Sequence, residues 1–165
     1  MELIAEYTTS KDVKLLSEVF LEILLAIPYY NDLAKENEEK KYSYAELLKK
    51  IDEDSRSIII IKETENIAAF CFSRFDDFTI WLEWFGTVKQ YRGKKLCEIL
   101  LAKLEESAKD RKCHKIWCDS RTENQKSINV LVKNGYENIA LIKNHWYSQD
   151  FFLWQKFLEN NNNCH

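Results

Sequence analysis

Apolar positions recur every three or four residues through Val13, Leu16, Phe20, Ile23, Leu24 and Ile27, the spacing that lays one stripe along an α-helix, and Pro28 ends it. Glu18 and Glu22 interrupt the run, which marks an amphipathic helix and not a signal or membrane segment. Before it, Glu2 to Tyr7 reads as a short strand, and Thr8-Thr9-Ser10-Lys11-Asp12 offers hydroxyl and carboxylate caps. After Pro28 a charged loop leads to a second helical piece, roughly Ser43 to Ile51.

From Ser57 the pattern turns to β-branched and aromatic runs: Ile58 to Ile61, Ile67 to Phe75 and Phe78 to Val88, parted by turns at Glu65-Asn66 and Asp76-Asp77. Three hairpin-linked strands are predicted. Beyond Arg92-Gly93 the helical period returns through Leu96, Ile99, Leu100 and Leu104 toward Lys112. A short strand, Ile116 to Asp119, precedes a helix from Ser127 to Lys133 stopped by Asn134-Gly135, and two strands, Tyr136 to Ile142 and Phe151 to Phe157, close the chain. The resulting order, βααβββαβαββ, mixes hairpins with helical crossovers. It predicts an α/β fold with one mixed sheet and helices on both faces. Residues 1–158 form one expected domain, and 159–165, with four consecutive asparagines, an expected flexible tail.

Composition narrows the class. With 45% hydrophobic and 31% charged residues but only three Gly and one Pro in 165, the chain has a core to bury and is no linker or disordered segment. A formal net charge of −3 supplies no overall field for a nucleic-acid backbone. Five cysteines, Cys71, Cys97, Cys113, Cys118 and Cys164, contain no C-x-x-C pair and only His114 nearby, which argues against a disulfide framework or a zinc site. Free thiols in a reducing cytoplasm are the expectation, with no metal, no membrane and no nucleic acid as partner.

The candidate chemistry lies where the third long strand passes into the long helix, at Gly86-Thr87-Val88-Lys89-Gln90-Tyr91-Arg92-Gly93-Lys94-Lys95-Leu96-Cys97. Unpaired backbone N–H groups at a helix start, reinforced by the helix dipole and by Arg92, Lys94 and Lys95, suit a pyrophosphate. An ordinary basic turn before a surface helix has the same composition, and the residues alone leave both open.

Three segments in order resemble the GNAT superfamily of N-acetyltransferases, over nearly the whole chain and most clearly from Trp81 to Leu158. Tyr91-Arg92-Gly93 looks like that family's acyl-CoA loop. Asn124-Gln125-Lys126-Ser127 with Leu131, Lys133, Asn134, Gly135 and Tyr136 is similar to its second CoA motif, and Asn144-His145-Trp146-Tyr147 resembles the segment presenting a tyrosine to the departing thiolate. Lys95 and Cys97 depart from the pattern, standing where the family usually has Gly and Gly or Ala.

The resemblance implies acetyl-CoA as cosubstrate and an amine acceptor, small molecule or peptide, attacking directly in a ternary complex. It allows a homodimer. Thr87, Val88, Arg92, Gly93, Lys94, Lys95, Leu96, Cys97, Asn124 and Ser127 are the expected cofactor contacts, with a backbone N–H near Thr87 as donor to the acetyl oxygen and Asn124 also a candidate helix cap. Tyr147 is the expected general acid; Asp119 and Glu83 are alternative bases, each also readable as a cap or a salt-bridged strand residue. His145 and Trp146 would shape the acceptor pocket, and His114 has only a structural reading. Phe75, Phe78, Trp81, Trp84 and Phe85 read mainly as core, with outward members available to the acceptor groove. Two rival functions remain on the same scaffold: a non-catalytic acyl-CoA-binding module, motivated by Lys95 and Cys97, and an interaction domain.

Overall fold

The computed structural model describes residues 3–159. Glu2 and all of the expected tail save Glu159 lie outside them. The elements are β1 (Ala5–Tyr7), α1 (Val13–Leu25), α2 (Asp32–Lys41), α3 (Tyr44–Glu53), β2 (Ile58–Glu63), β3 (Asn66–Asp76), β4 (Thr79–Thr87), α4 (Leu96–Asp110), β5 (Lys115–Arg121), α5 (Gln125–Lys133), β6 (Glu137–Ile142) and β7 (Phe151–Phe157). A single 3₁₀ turn occurs at Lys89–Tyr91, and Trp146–Ser148 forms a tight turn in which Tyr147 is left-handed (φ 56°, ψ 31°). The seven strands form one sheet in the order β1-β2-β3-β4-β5-β7-β6. Its described pairs are antiparallel except β4 with β5, which run parallel, so the expected mixed sheet is present.

The two cores follow from strand alternation. On one face Ile58, Ile60, Phe70 and Phe72 meet the stripe Val13, Leu16, Phe20 and Leu24 of α1, together with Tyr42 and Leu47. On the other, Ile59, Ile61, Ala69 and Cys71 meet Leu96, Leu100, Leu101 and Leu104 of α4 and Leu131 of α5. The four isoleucines of β2 are fully buried because this inner strand is covered on both faces.

Three local features differ from the sequence reading. The charged stretch after Pro28 is a helix, α2, which turns only Ala34 and Glu38 inward and so carries no apolar stripe. Its stability comes from other sources: the Asn31 side chain accepts from Ala34 N at 2.9 Å as an N-cap, and Glu36 pairs with Lys40 one turn on. Asp12 does not cap α1; its carboxylate accepts from Thr9 N and from Lys62 instead. Phe78 is 59% exposed and not core, because Asp77 and Phe78, both at positive φ, form the turn itself.

Two details place the site. At the end of α5, Gly135 (φ 83°) lets its own N–H reach Val132 O and Tyr136 N–H reach Leu131 O, closing the helix and directing the chain into β6. In β4 the pairing slips by one residue: Phe72 faces Trp84, but Ser73 faces Leu82, leaving Glu83 as the extra residue of a bulge.

Phe20, 1% exposed, touches the rings of Tyr42, Phe70, Phe72 and Trp84 at centroid distances of 5.1–6.0 Å. Phe20→Ala is expected to cost about 3–5 kcal/mol in urea denaturation; a loss below about 1 kcal/mol would show that this aromatic cluster does not hold α1 to the sheet.

Candidate active site

The bulge at Glu83 has two geometric effects. Alternation on β4 is reset, so Glu83 and Trp84, adjacent in sequence, both line the cavity on the α1–α3 side. The strand also leaves its parallel neighbour: pairing with β5 runs from Thr79–Lys115 to Leu82–Cys118 and then stops. Beyond that point Glu83–Thr87 and Asp119–Arg121 diverge, and β5 continues paired only with β7. A slot of about 60 Å³ opens between the parted strands, lined by Phe85, Asp119, Arg121, Asn124 and Ser127 among others.

Beyond the slot's lining, which ends at Phe85 on β4, free backbone donors continue along the parted edge of β4 and at the start of α4. Val88 N–H turns back to Ala68 O on β3 at 3.0 Å. Antiparallel alternation therefore sends the N–H of Thr87 toward the open edge. At the start of α4, the amides of Gly93, Lys94, Lys95, Leu96 and Cys97 find no acceptor among the described residues, the first backbone bonds of the helix being Glu98 and Ile99 N–H to Lys95 O. A side chain placed at Gly93 would meet nothing within 4 Å, so the approach to these amides is open.

The departures at Lys95 and Cys97 are accommodated without filling the slot. Lys95 takes the left-handed conformation (φ 58°, ψ 27°) that glycine adopts freely, at a cost of roughly 1–2 kcal/mol, and its side chain is exposed. Cys97 turns against β4, its Sγ 3.3 Å from Thr87 Oγ1. Arg92 and Lys94 are also exposed; Lys94 lies 3.4 Å from Glu63 and over the ring of Tyr91. Asn124 caps α5, accepting from Ser127 N at 3.1 Å and donating to Ser127 Oγ at 2.8 Å, while both residues border the slot.

A larger cavity of about 500 Å³ adjoins the slot, and Asp119, Glu83, Trp84 and Tyr30 line both. Asp119 therefore stands at the junction. Its Oδ2 accepts from Trp146 Nε1 at 2.7 Å, and burial pushes its carboxyl up to about 6 despite that hydrogen bond. Glu83 is differently placed: Lys50 Nζ lies 2.8 Å from one oxygen and Arg74 NH1 3.8 Å from the other, the salt-bridged strand residue foreseen as its alternative.

Tyr147 projects into the larger cavity from a strained loop in which Asn144, Tyr147 and Ser148 all have positive φ (49°, 56° and 58°). Each such residue costs on the order of 1–3 kcal/mol. The loop is pinned by Asn144 N–H to Asp150 Oδ1 at 2.8 Å, His145 N–H to Gln149 O at 2.8 Å and Asn31 Nδ2 to Tyr147 O at 3.0 Å. The phenol donates to Glu38 Oε1 at 2.6 Å, and burial, then that hydrogen bond, holds its proton well above the ordinary tyrosine range. His145 and Trp146 line the same cavity, as do Trp81 and Trp84 of the aromatic run, whereas Phe75 and Phe85 pack against the α4-side core.

Two residues of the site escaped the sequence reading. Glu38 lies on α2, four residues after Ala34 on the inward face, and accepts from both Tyr147 Oη and Trp84 Nε1 (2.8 Å). Arg121, 5% exposed, donates to Asp150 O at 2.9 Å and Tyr29 O at 3.4 Å, tying the end of β5 to the α1–α2 connection and to the loop before β7.

The fold has known relatives. The sequence profile of the Acetyltransferase (GNAT) family matches residues 19–136, and the chain belongs to that family. No curated protein matches it by sequence. Among solved structures, it superposes on a GNAT-family acetyltransferase of Streptococcus pneumoniae with TM-score 0.81 at 17% identity, covering 96% of this chain and 100% of that one. The PaiA N-acetyltransferase of Thermoplasma acidophilum, in complex with coenzyme A, gives 0.78 at 18% (95% and 99%). A phosphinothricin acetyltransferase of Sinorhizobium meliloti, in complex with AcCoA, gives 0.77 at 17% (96% and 89%). At these identities the likeness is one of fold. Among the described residues no helix is long and apolar enough to cross a membrane.

The raised carboxyl of Asp119 sets a stability test. Between its usual value of 3.8 and about 6, the folded chain keeps a proton that the unfolded chain has released, so this residue's contribution to stability falls as pH rises through that window. Asparagine cannot ionise and still offers Trp146 an acceptor. Asp119→Asn should therefore gain on the native chain from about pH 4 to pH 7, by up to about 3 kcal/mol in urea midpoints converted to free energy. A gap independent of pH would refute the burial of this carboxyl.

Proposed function

We propose that this protein transfers the acetyl group of acetyl-CoA to a primary amine by direct attack in a ternary complex. The observation that carries the reading is the junction at Asp119: the slot between the parted β4 and β5 opens beside a carboxylate, which in turn borders a cavity large enough for a small amine, and free backbone donors follow further along the same strand and at the start of α4. The free amides of Gly93–Cys97, with Arg92, Lys94 and Lys95 around them, fit a pyrophosphate, and the parted edges of β4 and β5 fit an extended amide-bearing arm. When bound there, acetyl-CoA supplies the activated acyl group. Thr87 N–H would donate to its acyl oxygen, while Val88, Leu96, Cys97, Asn124 and Ser127 frame the arm.

An alkylamine is protonated at neutral pH, and neutralising it costs on the order of 4 kcal/mol. Asp119, titrating near 6, is ionised at neutral pH yet less reluctant than an ordinary carboxylate to take a proton, and we assign it as the base. Glu83, held between Lys50 and Arg74, is assigned to keeping the cavity wall in place. Tyr147 is assigned as the proton source for the leaving sulfur, once its hydroxyl turns from Glu38. Burial raises the Cys97 thiol above the usual cysteine range and Cys71 to about 12, which favours direct attack over an acetyl-cysteine route. The free thiols of Cys71, Cys97, Cys113 and Cys118 favour a cytoplasmic setting.

Mixing the protein with acetyl-CoA and a panel of primary amines should release free CoA thiol only when an amine is present. Tyr147→Phe should lower kcat by roughly 100-fold or more while CoA affinity by calorimetry stays unchanged. Absence of thiol release with every amine, despite CoA binding, would leave the non-catalytic reading in place; full activity in the Phe variant would remove the tyrosine from the chemistry.

A further inference from the structure

Four carboxylates line the larger cavity: Glu38, Asp76, Glu83 and Asp119. Two of them have cationic partners, Glu83 in Lys50 and Arg74, and Asp76 in Arg74 at 3.8 Å. The other two do not. Among the described residues no ammonium or guanidinium comes within 4 Å of Glu38 or Asp119, whose partners are the neutral donors Tyr147 Oη, Trp84 Nε1 and Trp146 Nε1. The other nitrogen-bearing basic side chains at the cavity are Lys41, exposed at the rim and lying 5.3 Å over Tyr42, and His145 on the Trp146 side.

Glu38 is only 8% exposed. A carboxylate buried to that extent without a cation is costly, and the cost is relieved by a ligand that brings one. The walls around it are suited to the same guest, because Tyr30, Trp81 and Trp84 line the cavity and aromatic rings attract an ammonium. One amine at Asp119 is enough for acetyl transfer. The charge on Glu38 then remains unanswered, and both carboxylates would repel an acceptor carrying its own negative group.

Resting on the transferase reading, we propose that the acceptor is a compact dication, an aliphatic diamine or polyamine whose reacting nitrogen lies at Asp119 and whose second ammonium is held by Glu38. That second ammonium competes with Tyr147 for Glu38 and so turns the phenol free. Seating the correct acceptor thereby releases the proton source, and a monoamine leaves it tied.

The test uses the full chain saturated with CoA, titrated calorimetrically at neutral pH and low salt with 1,4-diaminobutane, butylamine and 4-aminobutanoate. The diamine is expected to bind at least tenfold more tightly than butylamine, and 4-aminobutanoate more weakly than either. Glu38→Gln should bring the diamine down to the butylamine level while moving butylamine less than twofold, with an unchanged circular dichroism spectrum. Equal affinity for diamine and butylamine in the native chain would overturn the proposal, whether or not the Gln variant folds, as would a diamine preference that survives in Glu38→Gln. Acetyl transfer separates the two readings. A diamine that binds in this way and is not acetylated sinks the transferase reading alone, whereas butylamine acetylated as readily as the diamine sinks the cation site alone.

Discussion

The extra residue at Glu83 is the constraint on which the site depends. A bulge bends its strand and increases local twist, and here it falls where β4 must choose between following β5 and leaving it. Because the strands part after Leu82 and Cys118, the inner edge of Glu83–Thr87 keeps hydrogen-bonding groups that a continuous sheet would have consumed. Asp119 is the first residue of β5 past the fork, and its side chain borders both the slot and the larger cavity, as do Glu83, Trp84 and Tyr30. A regular β4 would pair onward with Asp119–Arg121 and close the slot.

The other half of the site is assembled from distant segments and held by a few polar contacts. Glu38 from α2 meets Trp84 from β4 and Tyr147 from the loop before β7; Asn31, which caps α2, also donates to Tyr147 O. Arg121 gathers the same segments from beneath through Tyr29 O and Asp150 O. The positive φ values at Asn144, Tyr147 and Ser148 are strain that these bonds hold in place, and the residue so constrained is the one whose hydroxyl faces the cavity.

How much of this was legible in the chain varies with the kind of signal. The strands Ile58 to Ile61 and Phe151 to Phe157 and the helix from Leu96 were readable because burial on one or both faces leaves an unmistakable apolar period. Helix α2 was not, since its inward face consists of one alanine and one glutamate and leaves no apolar period. The same lack also hid Glu38. The bulge was equally invisible: Trp81-Leu82-Glu83-Trp84-Phe85 reads as an ordinary half-buried strand, and only register against β3 shows where alternation resets. Tyr147 and Asp119 were reachable through resemblance of short motifs, but their hydrogen-bond partners, Glu38 and Trp146, depend on tertiary packing that no local pattern encodes.

Unpaired amides at the start of α4 and along the parted edge of β4 are proposed to receive the phosphates and arm of CoA. Hydrogen–deuterium exchange on the full chain, with and without CoA, tests this directly. Slowed exchange confined to peptides covering 85–97 and 119–127 is the predicted result. Unchanged exchange in 93–97 while CoA is demonstrably bound would contradict it.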